Sequence, residues 1–319
     1  MRGVNLALFD FDYDLTWMGF FLNANERVYG RYGARDAESA DGRVSLAGLR
    51  YAMRAALETH RRDPDARPSS PPRRRTVEQF RSFARLPSGA CVHCHQVYDL
   101  RREDRQADGS WRLEDVWVYP QPENVGLTLD VDRGDRIKHV TEDSLAARAG
   151  LRAGAVLTSV NGLPIASIAD MQYALHNAPA SGQVPVVWSR DGKRQTASLK
   201  LQEGWRKTDV SWRWSLRGLD PSPCVRGPDL DADDRKQLHL SAKQLAFRQG
   251  PFVHPVAEQA GVRQNDVIIG MNDRPLEMTA RQFQAYVRLN YKVGERITLN
   301  VLRDGKQLRI SMKLPGRAK

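Results

Sequence analysis

The second half of this chain contains the same pattern twice, and this repeat constrains the fold more than any other feature. The segment S-L-A-A-R-A-G-L at 144–151 is similar to the segment V-A-E-Q-A-G-V at 256–262. An Arg-Asp-Gly turn follows each of them, at 190–192 and at 303–305. The two copies lie about 110 residues apart, and self-similarity at a fixed spacing indicates two domains of one kind.

Size and composition are those of a globular protein with several domains. The chain has 319 residues, of which 41% are hydrophobic and 27% are charged, enough for two or three domains with cores of their own. No run of about 18 apolar residues occurs, so no transmembrane segment is predicted. The net charge is +11, but the excess is spread out except between Arg61 and Arg75. This pattern does not indicate nucleic-acid binding.

Residues 1–60 are predicted to form one unit. The predicted elements are a strand at 6–11, a hairpin formed by 19–22 and 28–32, and a helix from 46 to 60. Ser45 is a typical N-cap for that helix. This stretch resembles the C-terminal half of a thioredoxin-like domain, in which a hairpin near the end of the sheet precedes the last helix. The resemblance implies that the family's Cys-x-x-Cys strand would lie upstream of Met1.

Residues 61–80 read as a Pro/Arg-rich linker, and residues 81–121 as a segment carrying Cys91, Cys94 and His95. Cys-x-x-Cys-His is the attachment pattern of c-type haem, in which both thiols bond to the porphyrin and the histidine ligates the iron. A covalent haem c with His95 on the iron is therefore one expectation. A pair of redox thiols, a metal site that also uses a histidine, and a segment without any ligand are the alternatives.

Localisation depends on whether Met1 is the true start. The first residues lead into a predicted strand and three aspartates, without the apolar core of a signal peptide. Taken literally, this indicates a cytoplasmic protein. Haem attachment and disulfides belong outside the cytoplasm, so a truncated N-terminus would place the protein in the cell envelope or periplasm.

Both repeat copies resemble PDZ domains, in the circular order used by bacterial high-temperature-requirement-type proteases. Copy one, residues 122–202, matches the family's carboxylate-binding loop, its S-x-A-x-x-A-G-L helix, its V-N-G turn and its groove helix. Copy two, residues 235–315, matches from the A-G-V motif onward. Between the copies lies a Trp-rich connector at 203–234, whose tryptophans are expected to dock it on its neighbours.

The resemblance implies that a peptide adds as an extra strand to an exposed sheet edge, with its terminal carboxylate held by backbone N–H groups of the loop. It assigns the following residues of copy one to that site: Gly126, Leu127, Thr128 and Leu129 in the loop, and Ile168, Met171 and Leu175 in an apolar pocket. For copy two it assigns Leu245, Ala246 and Phe247 to the loop, and Phe283 and Val287 to the groove. The expected partner is a C-terminal or extended hydrophobic peptide of another protein.

The whole chain is thus expected to be an α+β multidomain protein, with a partial thioredoxin-like unit followed by two PDZ-like β-barrel or sandwich domains. This plan resembles bacterial thioredoxin-like/PDZ domain-containing proteins. No serine stands in a Gly-x-Ser-Gly context, so a protease is not predicted. The predicted function is a non-enzymatic peptide-binding scaffold of the cell envelope. The alternative is a redox or electron-transfer protein targeted by its PDZ domains.

Overall fold

The computed structural model describes residues 1–68 and 73–316, so part of the predicted linker, residues 69–72, lies outside the described residues. The chain divides into two compact units, Met1–Thr208 and Asp209–Lys319. Copy one lies in the first unit and copy two in the second. Within the described ranges, no helix is long and apolar enough to cross a membrane.

The first unit begins with a hairpin and a helix. Strands β1 (Gly19–Leu22) and β2 (Val28–Tyr32) pair antiparallel, and α1 (Leu46–Arg62) follows. The Ser45 hydroxyl accepts the Gly48 N–H at 2.9 Å and so caps α1. The predicted hairpin and helix are confirmed. The predicted strand at 6–11 is wrong, because those residues form turns in which two N–H groups bond to the Asn5 carbonyl.

The thioredoxin-like interpretation of residues 1–60 is not confirmed. The hairpin forms a two-stranded sheet with no further strand, within the described part of the chain. Strand β2 contacts copy one instead, where the Arg31 N–H donates to the Asp170 carboxylate at 2.9 Å. Of the buried apolar side chains of residues 1–60, Ala34 lies in the core of copy one, whereas Leu6 and Tyr13 lie in a separate small core.

The segment with Cys91 and Cys94 packs on the first residues of the chain. Helix α2 (Gln96–Ala107) begins directly after His95. A small core joins the two stretches through Leu6, Tyr13, Val77, Phe80, Val92, Val97 and Leu100. The terminal amine of Met1 also donates to the Val92 carbonyl at 2.7 Å. The N-terminus is thus part of this small core.

Copy one contains two sheets and two helices. Strands β3 (Leu127–Leu129) and β4 (Ile137–Val140) pair with each other, and α3 (Leu145–Arg148) follows. The four-stranded sheet has the order β6-β5-β7-β8, and α4 packs beside it. Its elements are β5 (Val156–Val160), β6 (Leu163–Pro164), α4 (Ile168–His176), β7 (Gly182–Arg190) and β8 (Lys193–Leu201).

Copy two repeats this plan after a short helix, α5 (Ala232–Gln237). Its sheet has the order β11-β10-β12-β13, and β9 also pairs with β10. The elements are β9 (Phe247–Arg248), α6 (Pro255–Gln259), β10 (Val267–Met271), β11 (Arg274–Pro275), α7 (Ala280–Asn290), β12 (Arg296–Arg303) and β13 (Lys306–Lys313). The core of this copy lies between the sheet and α7.

The repeated Asp-Gly pairs form equivalent turns in the two copies. In copy one, Asp191 (φ 50°) and Gly192 (φ 73°) form the two-residue turn between β7 and β8. In copy two, Asp304 (φ 48°) and Gly305 (φ 74°) do the same between β12 and β13. A two-residue hairpin turn with both φ angles positive matches the twist of its strands and favours Asp-Gly. Local turn chemistry therefore sets the register of both long hairpins.

Gly48 provides a test of how closely α1 packs. A Cβ at this position would collide with the Val131 carbonyl oxygen and would lie 2.7 Å from the Tyr32 hydroxyl. Helix propensity alone predicts that Gly48→Ala stabilises by about 1 kcal/mol. We expect instead a loss of about 1 to 3 kcal/mol, the usual effect of overpacking, seen as a lower thermal midpoint by circular dichroism. Arg54→Ala, at an exposed position of α1, is the matched control, and a stabilised Gly48→Ala would contradict the packing described.

Candidate peptide-binding site

In copy one the structure brings the predicted site residues together. Leu127 and Leu129 of β3 lie in one core with Ile168, Met171 and Leu175 of α4. None of the five is more than 4% exposed. Gly126 adopts φ 86°, and a Cβ there would collide with the Ser144 side chain, so the loop approaches α3 as only glycine allows.

The slot between β3 and α4 is covered by residues of the N-terminal part. Ala34 is 5% exposed and belongs to the same core. Just before it, the Arg31 N–H donates to Asp170 at 2.9 Å, and the Ser167 hydroxyl donates to the Arg31 carbonyl at 2.5 Å. The Arg31 guanidinium lies 3.5 Å from the centre of the Tyr173 ring. The main chain and the side chain of Arg31 thus both contact the first turns of α4. We call residues 31–34 the cover of copy one.

A second stretch lies on the other side of α4. The Tyr119 ring stacks on His176 at 4.1 Å, and the Gln172 amide donates to the Tyr119 carbonyl at 3.5 Å. The two covering stretches meet where the Gln121 amide donates to the Arg35 carbonyl at 2.7 Å. The groove helix of copy one therefore has parts of the same chain packed on both of its sides. A role of its residues in peptide binding stays a prediction.

In copy two the predicted site residues fill the core. Leu245, Ala246, Phe247, Phe283 and Val287 are all 0% exposed. The Phe247 and Phe283 rings pack 5.7 Å apart. These side chains therefore do not border an open groove.

The strand that borders the groove of copy two lies earlier in the chain. Residues 226–230 run antiparallel to residues 246–250, with the Leu230 N–H bonded to the Ala246 carbonyl and the Arg248 N–H to the Pro228 carbonyl. This is the place that β3 takes beside β4 in copy one. Cys224 has a left-handed backbone conformation (φ 62°) and takes the place that Gly126 has in copy one. Sequence reasoning missed this loop because a cysteine occupies the glycine position.

A cavity of about 550 Å³ lies between residues 226–229 and α7. Arg281, Gln284 and Arg288 of α7 face it, and the Gln284 amide donates to the Val225 carbonyl at 2.5 Å. Their spacing of three and four residues places them on one helix face. That spacing is the signal that could have found them. Residues 211–217 of the connector contribute the rest of the wall.

The three cysteines have different surroundings. Cys91 is exposed, Cys94 is half-buried with its Sγ 3.7 Å from the Met1 sulfur, and Cys224 is buried; all three are free thiols. His93 and His95 stack with their rings 5.9 Å apart. No group of three or more His, Cys, Asp or Glu side chains suited to a metal ion occurs in the described residues. Two thiols and an imidazole at the start of α2 fit haem attachment chemically, and haem stays a prediction.

The thiols should react with iodoacetamide in the order Cys91, Cys94, Cys224. Burial raises the pKa of the Cys224 thiol, against the hydrogen bond with Ser222 and the charge of Arg288, so less thiolate is present at neutral pH. Labelling followed over time by peptide mass spectrometry measures this order. Cys224 reacting first would contradict its position in the core. Haem bonded to Cys91 and Cys94 would instead leave Cys224 as the sole reactive thiol.

Asp170 should make the stability of the first unit dependent on pH. Burial raises the pKa of Asp170 to about 6, although the Arg31 charge and the N–H groups of Arg31 and Ala166 oppose the shift. Because the folded-state pKa lies above the ordinary value, this carboxyl stabilises the fold at low pH. That stability is lost as the pH rises through about 6.

In Asp170→Asn this loss should be absent. As the pH rises from about 4 to about 7, the free energy of unfolding of the variant should therefore increase by up to about 3 kcal/mol relative to that of the native chain. Urea unfolding followed by tryptophan fluorescence at both pH values measures the difference. Asp65→Asn, at an exposed position, is the control. Parallel pH profiles for all three proteins would show that Asp170 is not held as described.

Comparison with known protein families identifies both copies. Residues 136–190 match the PDZ domain family, and residues 250–314 match it again. The chain therefore contains two PDZ domains, as the repeat predicts.

Curated relatives are bacterial proteases. The periplasmic serine endoprotease DegP of Salmonella typhimurium is 31% identical over 154 residues, which cover 48% of this chain and 30% of DegP. A probable periplasmic serine endoprotease DegP-like protein of Marinomonas is 26% identical over 249 residues, covering 73% of this chain and 47% of that protein. The solved structure of an HtrA-type protease AlgW with decapeptide is 16% identical to this chain. The match covers 52% of this chain and 50% of the AlgW chain, with a TM-score of 0.27. The match spans less than half of each curated relative.

These relatives correct two predictions. A non-enzymatic scaffold and a chain that is not a protease are contradicted, because proteins similar to this one are named serine endoproteases. The redox alternative has no counterpart in those names. The scaffold prediction rested on the two peptide-binding modules, and the other on the absence of a Gly-x-Ser-Gly motif. The chain is a PDZ-containing protein with homology to HtrA/DegP-type proteases.

Proposed function

We propose that this chain binds peptide segments of other proteins through a PDZ groove, and that this binding serves proteolysis of the HtrA/DegP type in the periplasm. The cavity beside α7 carries the proposal, because it lies where a PDZ domain takes an extended peptide as an added strand. The proteolytic and periplasmic parts are supported by the names of the relatives.

Copy two is the better candidate for direct binding. Its cavity leaves space beside α7, whereas the slot of copy one holds Ala34. A hydrophobic peptide directed to Ile168, Met171 and Leu175 would have to displace that residue first. The first binding event therefore belongs to copy two.

Binding is tested on an array of overlapping ten-residue peptides that cover the sequence of casein, probed with the fluorescently labelled chain. Ala285 lines the cavity, so Ala285→Phe fills it and should weaken binding at least about tenfold. Asn290→Phe, at the exposed end of α7, should leave binding unchanged. If no array peptide binds, or if both variants bind like the native chain, the peptide-binding part is refuted.

The proteolytic part needs a separate assay. Unfolded casein carrying quenched fluorophores is incubated with the purified chain, with and without a fluorophosphonate that modifies reactive serines. Release of fluorescence that the reagent abolishes would support the activity of the named relatives. An unchanged signal would overturn the proteolytic part and leave peptide binding to stand by itself.

A further inference from the structure

Five arginines line the cavity of copy two. Arg213 and Arg217 come from the connector, Arg226 from the bordering strand, and Arg281 and Arg288 from α7. Asp229 is the one carboxylate among the residues described as lining it. The walls of this cavity are therefore strongly positive.

The single carboxylate of the wall already has a partner. Its Oδ1 accepts the Ala280 N–H at 2.7 Å, at the first turn of α7, where a negative charge is stabilised by the helix dipole. Asp229 keeps its negative charge, but one carboxylate cannot balance the five arginines that line the same cavity. A ligand that brings its own negative charges would be stabilised there.

Three of the five arginines lie over aromatic rings, and one of these is Arg213, 4.6 Å from the centre of the Trp212 ring. The Arg217 guanidinium lies 3.8 Å from the Trp214 ring centre, and that of Arg226 lies 5.0 Å from the Phe252 ring centre. Neither has an ion pair within the described residues. Burial and the charge of Arg226 both lower the pKa of Arg217. Stacking leaves the edge of a guanidinium available for hydrogen bonds to a carboxylate.

The backbone beside these arginines suits a peptide. Residues 226, 228 and 230 bond to the neighbouring strand through 250, 248 and 246. In an antiparallel ladder the residues between them direct their N–H and C=O groups to the opposite side. Gly227 and Asp229 therefore present backbone groups towards the cavity that they line. An extended peptide can use that edge and place alternate side chains beside the arginines.

We propose that the groove of the second PDZ domain selects acidic peptides, with glutamate or aspartate side chains bound by Arg217 and Arg226. This inference rests on the proposed peptide binding and names the class of peptide. Because charge attraction supplies the selectivity, binding should weaken as the salt concentration rises.

The test uses two fluorescein-labelled ten-residue peptides of alternating valine and glutamate, or valine and glutamine, measured by fluorescence anisotropy with the full chain. The glutamate peptide should bind at least about tenfold more tightly. Arg217→Gln and Arg226→Gln should each weaken it several-fold and leave the glutamine peptide unaffected. Arg296→Gln, at an exposed position of β12, should change neither.

Each other outcome has a distinct meaning. Equal affinity for the two peptides would overturn the acidic selectivity while peptide binding stands. If neither peptide binds but casein peptides do, the selectivity is again wrong. If no peptide of any kind binds, the proposed function fails. Displacement of the glutamate peptide by inorganic phosphate or a thymidine oligonucleotide at equal charge concentration would show a general anion site, and would also overturn the proposal.

Discussion

The two main-chain hydrogen bonds of Arg31 to the first turn of α4 determine how the first unit is arranged. They connect a hairpin at the start of the chain with a helix more than a hundred residues later. The same turn is capped by Ser167, whose hydroxyl accepts the Asp170 N–H. A carboxylate that must be buried is tolerated there because it receives several hydrogen bonds. Folding of the hairpin and of copy one are therefore coupled.

Both PDZ domains have stretches of their own unit beside the groove helix. In copy one Ala34 is buried in the same core as the apolar side chains of β3 and α4. In copy two, residues 211–217 form one wall and leave a cavity. The same fold therefore has a chain segment packed on the groove helix in one copy and a cavity beside that helix in the other. The difference comes from segments outside the repeat, which explains why repeat similarity alone does not predict it.

Local patterns predicted much of the fold and less of the site. The hairpin, α1 and the Asp-Gly turns follow from residues close in sequence, and the structure confirms them. The cover by Ala34 depends on a contact across a long stretch of chain, which leaves no local signal. The loop of copy two was placed at 245–247, although no glycine precedes Leu245. Cys224 instead takes the left-handed conformation, which few non-glycine residues adopt.

The cover of copy one has a consequence for affinity. Ala34 and Arg31 belong to the same molecule as the slot they cover, so their local concentration is fixed and does not fall on dilution. A free peptide competes with this tethered segment, and its measured dissociation constant rises in proportion to the rarity of the uncovered state. Weak binding by copy one would then measure the stability of its cover rather than the quality of its pocket.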